Sequence, residues 1–290
     1  VSSLSIAVSL VIDTVNDLDN VLYEICNECN PGSIAWQYQT INYIKSYELT
    51  KSKQHPVGMT FQYTGGDDAV LFNSPADWIS PGSGIYMTDP PAADGSKVIV
   101  SDTDHLWGAE GGDRVWVWKS FTRGINLLFM DTYGSDDYRQ VAHPTINPLD
   151  PVWVNFRQNL GYARVYADKM NLVAMTPQNI LSSTGYILAN PSASNGEYLT
   201  YLPSGGSVTV NLAATPGTIF IEWFNPSNGQ TINGGTITGG ASRVFSAPFS
   251  GDAVLYLSGI FDDQPPTAPT NLIATGALGQ ISLSWNAAID

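Results

Sequence analysis

The chain carries only two cysteines, three histidines and twelve basic residues among its 290 positions. Each scarcity closes off a class of function. The cysteines are Cys26 and Cys29, whose CxxC spacing fits a redox pair or half of a zinc site. No second pair exists, and His55, His105 and His143 lie far off along the sequence, so the remaining ligands of a metal site are missing. The plainer reading is two small residues at a strand end, and neither a metal nor a cofactor is expected. Lysine and arginine number 12 against 26 acidic residues, a formal net charge of −14. Such a surface repels phosphate backbones, which argues against nucleic-acid partners. No apolar run is long enough to span a bilayer. No glycine-rich phosphate loop follows any candidate strand, so a nucleotide site is disfavoured. The first residue is valine, with no charged-then-apolar leader after it, and the last segment, "SLSWNAAID", stops in the middle of a strand-like pattern. The expectation is a piece of a longer protein.

Against these absences stand 27 glycines and 18 prolines, a supply suited to turns and short strands, and a length that suits about two domains. Leu4, Val8, Val11, Ile12 and Val15 form a one-sided helical stripe over 4–19, and Ile34, Tyr38, Ile41 and Ile44 form another over 33–51. Strands are expected at 21–25, 55–63, 69–73, 97–101 and 125–130, and helices at 113–123 and 152–170. These strands are nearly continuous apolar runs, as in a parallel sheet covered by helices. Polar residues gather just beyond them: Asn27, Glu28, Asp102, Asp104, His105 and Asp131. In α/β folds that end of the strands carries the site.

From about residue 175 the texture changes. "GYILAN", "EYLTYL", "SVTVNL", "TIFIEWF", "TINGGTI" and "AVLYLSG" are short strands separated by Gly, Pro, Asn and Ser, the pattern of a β-sandwich. Trp223, Phe224 and Tyr201 are weighed there as a binding face or as core, with core favoured because sandwich strands must fill their interior. "FDDQPPTAPTNL" then reads as a stiff proline-rich linker before a further β-module.

"NVLYEICNE" (20–28) ends a strand on an Asn-Glu pair. In this it resembles the fourth strand of the large clan of retaining glycoside hydrolases built on (β/α)8 barrels. With "VIVSDTDHLWG", "GINLLFMDTY", "LGYARVYADKMNLVAMTP", "STGYILANP", "EWFNP" and "PFSGDAVLYL", the chain resembles a bacterial family of barrel proteins with a C-terminal β-domain labelled collagen-binding, over roughly residues 1–260. The tail, "PPTAPTNLIAT…ISLSW", is similar to the start of a fibronectin type III module. The resemblance implies a multidomain α/β plus all-β protein: 1–174 as strands four to eight of a barrel, 175–260 as an antiparallel β-sandwich, 261–269 as linker and 270–290 as the opening of the last module. Taken alone, such a chain is expected to be a half-barrel with an exposed edge.

Retaining hydrolysis needs two carboxyl groups about 5–5.5 Å apart. The resemblance places the acid/base at Glu28, with Asn27 bonding the sugar 2-hydroxyl, and the second carboxylate after strand seven. There the clan has glutamate and this chain has Asp102, one methylene shorter, so Asp104 and Asp131 stand as alternatives for the nucleophile. His105 can orient a carboxylate or bond a hydroxyl. Trp107, Trp78 and Tyr133, expected in mouth-side loops, can stack on sugar rings or simply pack under the loops. Glu24 should point into the lumen and need a partner such as Arg114 or Arg123. Two functions remain: a secreted glycoside hydrolase acting on polysaccharide or oligosaccharide, and a non-catalytic extracellular protein that binds carbohydrate, matrix or a cell-surface polymer through a degenerate barrel. The extracellular or cell-surface location follows from the type of module.

Overall fold

The computed structural model describes residues 3–108, 111–130, 149–259, 270–277 and 280–286. Its first part is a five-stranded parallel sheet in the order β1-β2-β3-β4-β5: β1 (Tyr23–Glu24), β2 (Val57–Thr60), β3 (Trp78–Ser80), β4 (Val98–Asp102) and β5 (Asn126–Leu128). Between and around them run α1 (Ser3–Val15), α2 (Ile34–Glu48), α3 (Asp68–Phe72), α4 (Ile85–Thr88), α5 (Thr103–Trp107), α6 (Arg114–Thr122) and α7 (Pro151–Lys169). Strands follow one another across the sheet in chain order and all point the same way, so their C-terminal ends form one rim.

The two faces of this sheet differ. Val57, Met59, Ile79 and Ile99 pack against Ile12, Ile41, Ile44 and Leu71 of the helices. On the other face, alternation and register bring out Glu24, Trp78, Val98, Val100, Asp102, Asn126 and Leu128, all exposed or half-buried. Trp78 lies flat on Gly58, where a Cβ would fall 1.9 Å from the indole, so only glycine fits beneath it.

Three expectations are corrected here. The run 69–73 is helix α3, not a strand. Asp67 caps it by accepting the Ala69 N–H at 2.9 Å, and a four-residue apolar run cannot by itself separate strand from helix. The strand lies instead in the segment read as a loop, at Trp78–Ser80. The polar, aromatic stretch after β4 is likewise helix α5, capped by Asp102 and closed by Gly108 at φ 78°. Glu24 is exposed and within 3.1 Å of the Thr60 hydroxyl, whereas Arg114 pairs with Asp252 and Arg123 with Asp89.

Behind the sheet, His55 is clamped. Its backbone N–H donates to Glu48 Oε2 at 2.6 Å, its Nδ1 lies 2.7 Å from Glu48 Oε1, and its Nε2 lies 2.9 Å from the Leu18 carbonyl. With an acceptor at each nitrogen, the doubly protonated ring is favoured. The hydrogen bond to Glu48 therefore raises the His55 pKa above 6.5. Burial pushes Glu48 upward, but the hydrogen bonds from His55 and Tyr23 outweigh it and leave the acid below 4.5. The histidine contribution is complete below about pH 6.5 and is lost as pH rises through the raised value. The glutamate contribution is complete above about pH 4.5 and is lost as pH falls. Thermal stability is thus expected to peak between about pH 4.5 and 6.5 and to decline above neutrality. His55→Gln should flatten the alkaline decline; an identical profile in that variant would remove this pair as its cause.

The second part is a six-stranded antiparallel sheet ordered β11-β10-β13-β8-β7-β6, faced by a two-stranded β12-β9 ribbon. Its strands are β6 (Thr176–Pro177), β7 (Ile187–Asn190), β8 (Glu197–Leu202), β9 (Ser207–Asn211), β10 (Thr218–Asn225), β11 (Gln230–Thr238), β12 (Ser242–Ser246) and β13 (Ala253–Ser258). Val208, Val210, Ile219, Trp223, Phe245 and Leu255 fill the space between sheet and ribbon. The other face of the six-stranded sheet packs on α6 and α7, and Leu199, Tyr201, Phe224 and Val254 join the same core as the parallel sheet. Tyr201, Trp223 and Phe224 are buried, so they are core and form no binding face. A final hairpin, β14 (Thr270–Ala277) and β15 (Gln280–Asn286), pairs only with itself among the described residues.

Candidate functional site

The rim at the strand C-termini gathers side chains distant in sequence. The chain leaves β1 into a four-residue loop closed by a Cys26–Cys29 disulfide, with a Cα–Cα distance of 5.7 Å. Between the two sulfurs sit Asn27 and Glu28, and Glu28 adopts φ 47°, a left-handed conformation unfavourable for a residue with a side chain. The ring holds Glu28 over the rim in a backbone state it would otherwise leave. Of the three sequence readings for the cysteine pair, neither small packing residues nor metal ligands describe it, since both thiols are consumed in one bond; that bond is compatible with the redox-pair reading. Reduction is expected to leave the fold intact and to release the Glu28 loop. Nuclear magnetic resonance should then place the Asn27 and Glu28 backbone shifts near random-coil values while the core signals stay put; unchanged shifts after reduction would show that the strand ends alone fix the loop.

Opposite, β4 passes directly into α5. Asp102 Oδ1 accepts the Asp104 N–H at 2.9 Å and so caps the helix that carries Asp104 and His105. Burial pushes the Asp102 carboxyl above its ordinary value, against the opposing pulls of the Asp104 N–H and of His105. His105 reaches the ends of two other strands, β3 and β1: its Nδ1 is 2.8 Å from Ser80 Oγ and its Nε2 is 3.3 Å from Asn27 Oδ1. An amide oxygen only accepts, so Nε2 carries the proton and, in the neutral ring, Nδ1 accepts from the Ser80 hydroxyl. One oxygen each of Glu28 and Asp104 and one nitrogen of His105 lie within 4.8 Å of one another. All three residues are half-buried. The same trio has the donor chemistry to hold a divalent cation, but each His105 nitrogen already faces an oxygen, from Ser80 and from Asn27.

The rim therefore brings together Asn27, Glu28, Asp102, Asp104 and His105. Two aromatic candidates sit elsewhere than expected. Trp78 opens β3, at the end of the strand away from the rim. Trp107 ends α5 half-buried, with its ring edge-on to Trp116 at 5.4 Å and packed against the core. Asp131 and Tyr133 fall outside the described residues. Two further residues carry no signal in the sequence: Ser80, which ends the three-residue strand β3, and Thr103, which opens α5. The Thr103 hydroxyl accepts the Met130 N–H at 2.9 Å, tying β4 to the end of β5.

Residues 158–258 match a family model described as "Putative collagen-binding domain of a collagenase". The match takes in the last turns of α7 together with β6–β13. No curated protein is detectably similar in sequence to the chain. Among solved structures, one titled "Glycoside hydrolase" superposes with a TM-score of 0.56 at 12% identity, over 87% of this chain and 68% of the other. A glycoside hydrolase of family 5 from Bacteroides vulgatus superposes with a TM-score of 0.60 at 13% identity, over 87% of this chain and 65% of the other. The chain shares the fold of these two structures. It spans about two thirds of the length of these relatives.

Proposed function

We propose that the rim hydrolyses glycosidic bonds of a polysaccharide or oligosaccharide with retention of configuration, and that the parallel sheet is strands four to eight of a (β/α)8 barrel. The observation that carries this reading is the approach of Glu28 and Asp104 to within 4.8 Å at the C-terminal rim of parallel strands. Retaining pairs stand about 5–5.5 Å apart, whereas inverting pairs need about 6.5–9.5 Å to admit a water. Glu28 protonates the leaving oxygen and later activates water. Asp104 attacks the anomeric carbon. Asp102 holds Asp104 through the capping bond, and the exposed Asn27, oriented by His105, meets a sugar hydroxyl.

A second assignment keeps Asp102 as the nucleophile. Its strand-end position, on the same face as Val98 and Val100, favours it. Its burial argues against it, because desolvation disfavours the carboxylate form that a nucleophile must take. Trapping separates the two. The full-length protein is assayed on a panel of soluble polysaccharides, then inactivated with the matching 2-fluoro glycoside and digested. A label on Asp104 is expected. A label on Asp102 transfers the role to that residue, and product of inverted configuration overturns the mechanism. Absence of hydrolysis across the panel leaves the non-catalytic binding protein as the reading.

Secretion or surface display is part of the proposal. Cys26–Cys29 supports it, because disulfides persist in oxidising compartments. No helix among the described residues is long and apolar enough to cross a membrane.

A further inference from the structure

The helix-covered face of the six-stranded sheet is not covered to its end. α7 stops at Lys169, and beyond it a cavity of about 450 Å³ opens over β8, β10, β11 and β13. That volume lies within the range of small-ligand sites. Two cross-strand rows form its floor. Glu222 stands opposite Asn233 on one side and Tyr256 on the other, and in the next row Phe220 stands opposite Ser258, itself opposite Glu197. A β-bulge re-aims the β11 side. Gly234 is the extra residue between Asn233 and Gly235, and a Cβ there would fall 2.5 Å from the Ile221 side chain.

The charged groups inside already have partners within the protein. Lys169 Nζ lies 2.7 Å from both Glu222 oxygens and 4.7 Å above the Tyr256 ring, and the Tyr166 hydroxyl donates to Glu222 Oε1 at 2.8 Å. Glu197 accepts the Tyr256 hydroxyl at 2.6 Å and the Asn171 N–H at 3.0 Å. A cationic ligand would have to displace Lys169 from its carboxylate and its ring. An anionic ligand would meet two carboxylates against one ammonium. What fits is a neutral molecule with an apolar face for the half-buried Phe220 and hydroxyls for Thr231, Asn233 and the remaining lone pairs of Glu222.

We propose that this cavity is a glycan-binding subsite of the β-domain, taking a neutral sugar unit of a longer chain. It shares no residue with the rim and does not require catalysis there. The test is calorimetric titration of Glu28→Gln protein, which should not consume the ligand, with cellohexaose, xylohexaose, mannohexaose and maltohexaose. A collagen-like (Gly-Pro-Pro)10 peptide forms a separate arm. Thr231 is exposed, so Thr231→Trp fills the cavity from its edge without touching the core. Glu222→Gln keeps the shape and removes the charge. At least one hexasaccharide should bind, and Thr231→Trp, with its melting temperature unchanged, should weaken it tenfold or more. Glu222→Gln should weaken it less. Failure of all four sugars, sugar binding indifferent to Thr231→Trp, or peptide binding that Thr231→Trp abolishes would each overturn the assignment. Because hydrolysis is not the readout, these outcomes are separate from the fate of the rim.

Discussion

Glu28→Gln is expected to lower kcat/KM on an unactivated glycoside by about 10²–10⁴, the usual contribution of a positioned general acid. The substitution preserves size and shape but removes the acidic proton that the departing oxygen needs. A nitrophenyl glycoside, whose leaving group departs without protonation, should lose much less in the bond-breaking step. This asymmetry distinguishes acid catalysis from a structural role, since a loosened Cys26–Cys29 ring would slow both substrates alike. Equal losses on both would relegate Glu28 to a positioning residue. Rates within threefold of the parent on both would remove it from the mechanism.

Trp118→Ala is expected to destabilise the protein by about 3–5 kcal/mol, the range for deleting a large buried aromatic side chain. Trp118 is fully buried where the two parts meet. Its ring stacks on Tyr201 at 6.4 Å and lies 5.7 Å from Phe224 and 5.9 Å from Tyr166. Its Nε1 donates to Asn159 Oδ1 at 2.8 Å, and Asn159 in turn donates to the Pro226 carbonyl. The variant leaves both a cavity and a buried acceptor without its donor. Arg114 and Asp252 reinforce the same junction through a two-pronged ion pair that the Tyr201 hydroxyl joins at 3.0 Å. Because one core runs through helices and sheet alike, parallel sheet and β-domain should unfold together in denaturant, and Trp118→Ala should shift that single transition. Two transitions in the parent protein, or a change below about 1 kcal/mol in the variant, would show that the junction contributes little to stability.

The long elements were legible because their periodicity is sustained over several residues. The stripe of α2 and the alternation of Val208 and Val210 in β9 name a buried face without reference to any partner, whereas of the α1 stripe Ile12 is buried, Val8 and Val15 are half-buried and Val11 is exposed. The short ones were not. The four apolar residues of α3 fit either state, and only the Asp67 cap tips them into a helix. Trp78–Ser80 has three residues and becomes a strand because β2 and β4 stand on either side of it.

At the rim, the residue types that matter, Asn27, Glu28, Asp102, Asp104 and His105, stood out by their position just beyond apolar runs. Their mutual arrangement did not. Which aspartate approaches Glu28 depends on Asp102 turning back to cap α5, and that turn depends on where a helix begins. The cysteine spacing likewise allowed several outcomes until the loop geometry joined the two sulfurs. The cavity beside Lys169 had no signature at all, since its residues come from four strands and the end of a helix. The sequence alone determined the charge, the alternation of the β-domain strands and roughly where β1, β2, β4 and β5 end, because these follow from local pattern and solvation. The tertiary structure decided which carboxylates face one another and which part of a sheet stays open, because those distances are set by packing between segments that sequence separates.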